Sequence, residues 1–169
     1  MWKTIRSSWT TEFAVISRIT EQKPNIVINC AAYNDVDGAE DEGRVLAELL
    51  NVHAPGNIAN ACKKVNAIFV HFSSGQVFDG GREKGYNEDD DPSPANAYGR
   101  SKLTGEIESQ KRTEKLYIVR TEWLYGEGSK SVTSKRSFVD IMLDMAEKKS
   151  VINGIVDELG RPTYTGDLA

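Results

Sequence analysis

The chain is expected to fold as an α/β protein with a parallel sheet and helices on both faces, and three observations point there. Short β-branched or apolar runs alternate with longer helical patterns, the signature of strand–crossover–strand units joined by right-handed connections. The runs end in small or hydroxylic residues, Ala31-Ala32, Ser73-Ser74 and Thr121, which let a ligand approach the strand ends. The bulk composition is that of an ordinary globular chain: 169 residues, 39% hydrophobic and 27% charged, with a formal net charge of -4. That charge argues against a nucleic-acid partner, which needs a concentrated basic face. No apolar run reaches the ~20 residues needed to span a bilayer, and the N-terminus lacks the apolar core of a secretory signal.

Taken in order, Trp2, Ile5, Trp9, Phe13 and Ile16 recur at three and four residues and predict a helix over 1–20 with those side chains inward. Lys23-Pro24 breaks it, and 25–30 reads as a buried strand running into Ala31-Ala32-Tyr33. A polar, acidic connection over 36–42 precedes a helical pattern from about Arg44 to Lys64, interrupted near Pro55-Gly56. The next strand covers 67–72 and ends in Ser73-Ser74-Gly75, with His71 read as a packed strand residue. A long loop over 76–95 includes Glu88-Asp89-Asp90-Asp91, read as a solvated acidic surface and not as a metal cage. A helix then runs from Tyr98 to about Gln110, followed by a strand over 116–120. Ser137 is placed as the N-cap of a helix over 138–148, with Phe138, Ile141, Met142 and Met145 on one face. Val151-Ile152-Asn153 reads as a short strand. Cys30 and Cys62 sit in apolar strand and helix contexts and read as buried thiols of a reducing, cytoplasmic compartment.

The chemically informative pair is Tyr98 and Lys102. Four residues apart on a helix, they share a face, and a phenol beside an ammonium ion is expected to titrate below its free value. Such a pair can give a proton to a developing alkoxide. One such spacing arises easily by chance in a chain with six Tyr. Its context is what singles it out: the strand ends at Ala31-Ala32-Tyr33, Ser73-Ser74 and Thr121-Glu122-Trp123 all converge on the same edge of the expected sheet.

Seven segments in this order extend the pattern: 24–33 (PNIVINCAAY), 36–40 (VDGAE), 50–52 (LNV), 71–80 (HFSSGQVFDG), 97–103 (AYGRSKL), 120–126 (RTEWLYG) and 160–164 (GRPTY). Together they resemble the extended short-chain dehydrogenase/reductase family, and within it the branch that reduces 4-keto sugar nucleotides. The resemblance implies a Rossmann-like fold and an NADPH or NADH cofactor. It places the family's Ser/Thr–Tyr–Lys set on Ser74, Tyr98 and Lys102, and lays Ala31, Ala32, Tyr33 and Ser73 along the cofactor together with Tyr98 and Lys102. It further implies that Lys102 lowers the tyrosine's pKa and that Trp123 walls the sugar pocket, with Ser74 on the substrate carbonyl. No metal is implied.

Two departures accompany the resemblance. An acid and a tyrosine that follow the family's hydroxyl are replaced here by Gly75 and Gln76. The family's first strand and its Gly-x-x-Gly-x-x-Gly turn, which binds the pyrophosphate on main-chain N–H groups and a helix end, have no counterpart in these 169 residues. The chain therefore reads as one partial NAD(P)-binding domain over 1–169, with an atypical helix over 1–22 and the start of a substrate lobe over 150–169. Missing neighbour strands imply an exposed sheet edge, met either by homodimerisation or by the N-terminal helix. The alternative to a reductase is a non-catalytic relative, a regulatory or binding subunit, or a remnant scaffold.

Overall fold

The computed structural model describes residues 12–127, 136–154 and 160–169. The chain divides into two compact units, one up to Arg120 and one from Thr121. In the first, the elements run α1 (Glu12–Gln22), β1 (Ile26–Asn29), α2 (Arg44–Ala47), α3 (Ala54–Val65), β2 (Ile68–Ser74), α4 (Ala97–Gln110) and β3 (Leu116–Thr121). The sheet order is β1-β2-β3, and β1 pairs with β2 in parallel, Ile26 opposite Ile68 through Asn29 opposite His71. The α/β class with a parallel sheet is thus as the alternation predicts.

The core of this unit joins Val15 and Ile19 of α1, Ile58, Ala59, Ala61 and Cys62 of α3, and Phe69 of β2. Each large aliphatic or aromatic side chain so buried contributes about 1.5–3 kcal/mol. The buried face of α1 is thus Val15 and Ile19, while Phe13 is 84% exposed. This corrects the inward stripe read through Phe13. Helical spacing fits more than one face, and packing on α3 selects which is buried. Trp2, Ile5 and Trp9 lie outside the described residues.

Pro55-Gly56 does not interrupt the second helical region. A π-helical stretch, Glu48–His53, bridges α2 to α3, and Pro55 sits in the first turn of α3, where its missing N–H costs nothing. Of the two cysteines, Cys62 is buried and its thiol pushed up to about 12, whereas Cys30 is exposed, against the sequence reading. Cys30 follows the last residue of β1, where alternation no longer dictates a buried side.

Two glycines seat α4. A Cβ on Gly99 would run into the carbonyl oxygen of Gln76, and one on Gly105 into that of Asn51. Both backbones approach a helix that has no side chain at those points. Asn96 caps the helix by accepting from Gly99 N at 2.7 Å.

The second unit holds β4 (Leu124–Tyr125), α5 (Phe138–Lys148), β5 (Thr163–Tyr164) and α6 (Thr165–Leu168), with β4 and β5 paired in parallel. Ser137 caps α5 as expected, in a reciprocal capping box with Asp140. Residues 151–154 form no strand; the ladder partner in this unit is β5 instead. Among the described residues, no helix is long and apolar enough to cross a membrane.

Candidate active site

The buried face of α4 is made of Tyr98, Lys102, Glu106 and Ser109 with the two glycines, and carries no aliphatic side chain. A helix whose inner stripe is polar forgoes ordinary core packing, so those groups must find partners. Tyr98 is 8% exposed and Lys102 only 1%. The Ser74 side chain, from the end of β2, lies beside the Tyr98 phenol and favours its ionised form. Ser74 Oγ also accepts from Gln76 N at 3.2 Å, which fixes the turn after the strand. The structure therefore brings Ser74 and Tyr98 together.

Lys102 reaches beneath them. Its Nζ donates to the carbonyl oxygen of Phe72 in β2 at 2.7 Å. Burial pulls the ammonium's pKa down to about 8, with the Glu106 carboxylate pulling it back up. The phenol behaves differently from the expectation drawn from spacing. Burial raises its pKa, and Ser74 draws it back only in part. Desolvation of a phenolate at 8% exposure is the larger effect, so here the phenol is held protonated, a donor and not a base.

The strand-end loop after β1 is tied to α4 by one residue. Asn51 is fully buried. Its Oδ1 accepts from Tyr33 N at 2.9 Å, and its Nδ2 donates to Tyr33 O at 3.1 Å and to Ser101 Oγ at 2.9 Å. Ser101 Oγ in turn donates to Tyr98 O at 2.7 Å. Asn29 holds the near end of the loop, its Oδ1 accepting from Ala31 N at 3.1 Å. Ala31 is exposed and Ala32 and Tyr33 half-buried. Sequence reasoning placed Asn51 only within a short matching segment; its role rests on contacts that no local spacing reveals.

Behind the dyad lie Asn29, His71, Ser73, Glu106 and Arg120. Asn29 Nδ2 donates to His71 Nδ1 at 3.2 Å, leaving the ring hydrogen on Nε2. His71 is 1% exposed, and burial together with the Lys102 charge lowers its pKa to about 3, so it stays neutral. Its Nε2 and the hydroxyl of Ser73 are buried with no hydrogen-bond partner among the described residues. The acidic run after Tyr86 works as loop structure: Asp90 pairs with Arg82 and accepts from Asn87 N at 2.9 Å. No group of three metal-binding side chains occurs among the described residues.

Trp123 belongs to the second unit. It has a left-handed backbone (φ 41°) and packs on Phe138 with ring centroids 5.9 Å apart. The Gly160 backbone lies so close to its indole that a Cβ there would meet the ring.

A parallel α/β sheet with a tyrosine and a lysine on the helix after a Ser-ended strand defines a Rossmann-like protein of the reductase and epimerase class. Solved structures agree. A dTDP-4-dehydrorhamnose reductase from Bacillus anthracis str. Ames, in complex with NADP, superposes with a TM-score of 0.88 at 38% identity, covering 96% of this chain and 55% of that one. The family model described as "RmlD substrate binding domain" matches residues 6–169, and the chain belongs to that family. The dTDP-4-dehydrorhamnose reductase of Mycolicibacterium smegmatis is 43% identical over 145 residues, 85% of this chain and 42% of the relative. That of Burkholderia thailandensis is 37% identical over 155 residues, 91% of this chain and 50% of the relative. The chain thus spans about half the length of the curated relatives it matches.

Proposed function

We propose that this chain carries the proton-donating half of an NAD(P)H-dependent reductase of a 4-keto sugar nucleotide, of the dTDP-4-dehydrorhamnose type used in dTDP-rhamnose biosynthesis. The observation that carries the reading is the buried Tyr98 phenol, set beside Ser74 and one helical turn from a buried Lys102. Tyr98 Oη gives its proton to the ketone oxygen as that oxygen takes on charge, and Ser74 donates a hydrogen bond to the same oxygen. Lys102, ammonium at neutral pH, stabilises the phenolate left behind. A raised phenol pKa suits a group that must hold its proton until the alkoxide forms.

A nicotinamide cofactor supplies the hydride for this chemistry when bound. The residues that would hold its nicotinamide end are Ala31, Ala32, Tyr33, Ser73, Tyr98 and Lys102. The unpartnered, buried Ser73 hydroxyl fits that assignment. The sequence offers no glycine-rich turn for the pyrophosphate. Trp123 is assigned to the sugar pocket, residues 150–169 to the substrate lobe, and the protein to the cytoplasm. A homodimer through the outer edge of β1, the first strand of the sheet order, is tested by gel filtration.

A second reading is a binding subunit or scaffold without turnover. Titration of NADPH and NADH against the fluorescence of the chain's three Trp tests them. Micromolar binding supports a reductase or a cofactor-binding subunit; no response at millimolar cofactor overturns both and leaves a scaffold. With binding established, Tyr98→Phe lowers turnover on the order of 10²–10⁴-fold and leaves cofactor affinity intact. Loss of affinity instead removes Tyr98 from the proton-donor role.

A further inference from the structure

Glu106 is four residues beyond Lys102 on α4, on the same buried face, and each is 1% exposed. An acid buried so deeply in a short-chain core needs a reason. Its immediate partner is Arg120 at the end of β3, which donates to it twice, from Nε at 3.0 Å and from Nη2 at 2.7 Å. The guanidinium itself is stacked over the ring of Phe78, 5.0 Å from its centroid. The carboxylate is therefore fixed in position and orientation beside the lysine.

A buried ammonium with one carbonyl partner is costly unless an opposite charge lies close. Among the described residues, the other charged groups around α4 are engaged elsewhere: Glu40 pairs with Arg100, and Glu108 with Lys111 and Arg112. From β2 come neutral His71 and the hydroxyls of Ser73 and Ser74. From α4 itself comes the protonated Tyr98 phenol. The adjoining π-helical stretch offers Glu48 and His53, both exposed and paired to each other. α2 offers the exposed Arg44, and α3 the neutral buried Cys62 with exposed Lys63 and Lys64.

We propose that Glu106, clamped by Arg120, is a positioning residue that keeps Lys102 in its ammonium form for the Tyr98–Lys102 dyad. The proposal rests on the reductase reading of that dyad and adds a residue to it. Arg120 has a second effect. By sharing the carboxylate it prevents Glu106 from cancelling the lysine's charge, so a net positive field remains for the phenolate. The lowered lysine pKa of about 8, opposed by Glu106, is consistent with this arrangement.

The test needs neither cofactor nor turnover. The full chain is labelled with [¹³Cε]-lysine, the Lys102 resonance is assigned by its loss in Lys102→Met, and its titration is followed by NMR. In Glu106→Gln the Lys102 midpoint falls by about one pH unit or more. An unmoved midpoint in a variant that keeps the wild-type circular dichroism overturns the proposal and leaves Glu106 a structural partner of Arg120. If Glu106→Gln does not fold, Glu106→Asp decides: the withdrawn carboxylate lowers the midpoint, and an unchanged one overturns the proposal. A chain that binds no NADPH fails the reductase reading, yet its Lys102 titration still reports on Glu106.

Discussion

The stretch up to Arg120 and the stretch from Thr121 differ in what they bury. The first contains all the buried residues among those described, from Val15 to Thr113. In the second, α5 has a complete capping box and an apolar stripe, yet none of its residues is buried, and Phe138 and Leu143 are 60% and 61% exposed. Local chemistry is equally good in both: caps, glycines and periodic patterns are in place. What the second lacks is burial, and a helix of 11 residues is marginal on propensity and capping alone. Local signals thus decide where elements form, and packing decides how firmly they are held.

The largest test of that contrast pairs two phenylalanines. Phe69→Ala, at 0% exposure, should cost about 3–5 kcal/mol in urea unfolding, and Phe138→Ala, at 60%, about 1 kcal/mol or less. Equal costs would break the comparison. Two glycines test it more gently. Gly105→Ala presses a methyl into the Asn51 carbonyl and should cost about 1–3 kcal/mol, while Gly154→Ala meets nothing within 4 Å and should stay within ~0.5 kcal/mol, both read from thermal melts.

A further test works through pH. The His71 pKa is lowered to about 3 in the folded chain from 6.5 when unfolded, so the unfolded state binds the extra proton between those values. Stability from this group is complete above pH 6.5 and falls as pH drops towards 3, by at most ~1.4 kcal/mol per pH unit. His71→Gln should flatten the acid limb of a stability-versus-pH curve. An unchanged limb would place the acid sensitivity elsewhere.

Much of the first unit was legible because it is written locally. β1, β2 and β3 stand within two residues of the apolar runs that predict them; Ser74 lies beside Tyr98, and Lys102 shares the buried face of α4 with it. What escaped depends on distant partners. Phe13 fits a helical stripe as well as Val15 does, and only α3 chooses between them. The two-residue ladder of β4 and β5 has no periodicity to read. The sign of the Tyr98 shift follows from burial, which spacing to Lys102 does not convey. Asn51 and Glu106 owe their places to Tyr33, Ser101 and Arg120, up to 50 residues away in sequence.

The geometry of Asn51 has a consequence for the sheet itself. A carboxamide is the one side-chain group shaped like a peptide bond, with an acceptor and a donor side by side. By pairing both the N–H and the C=O of Tyr33, it does for the loop what a neighbouring strand would do. A single side chain reaching from a helix thus pins the loop beyond the end of β1.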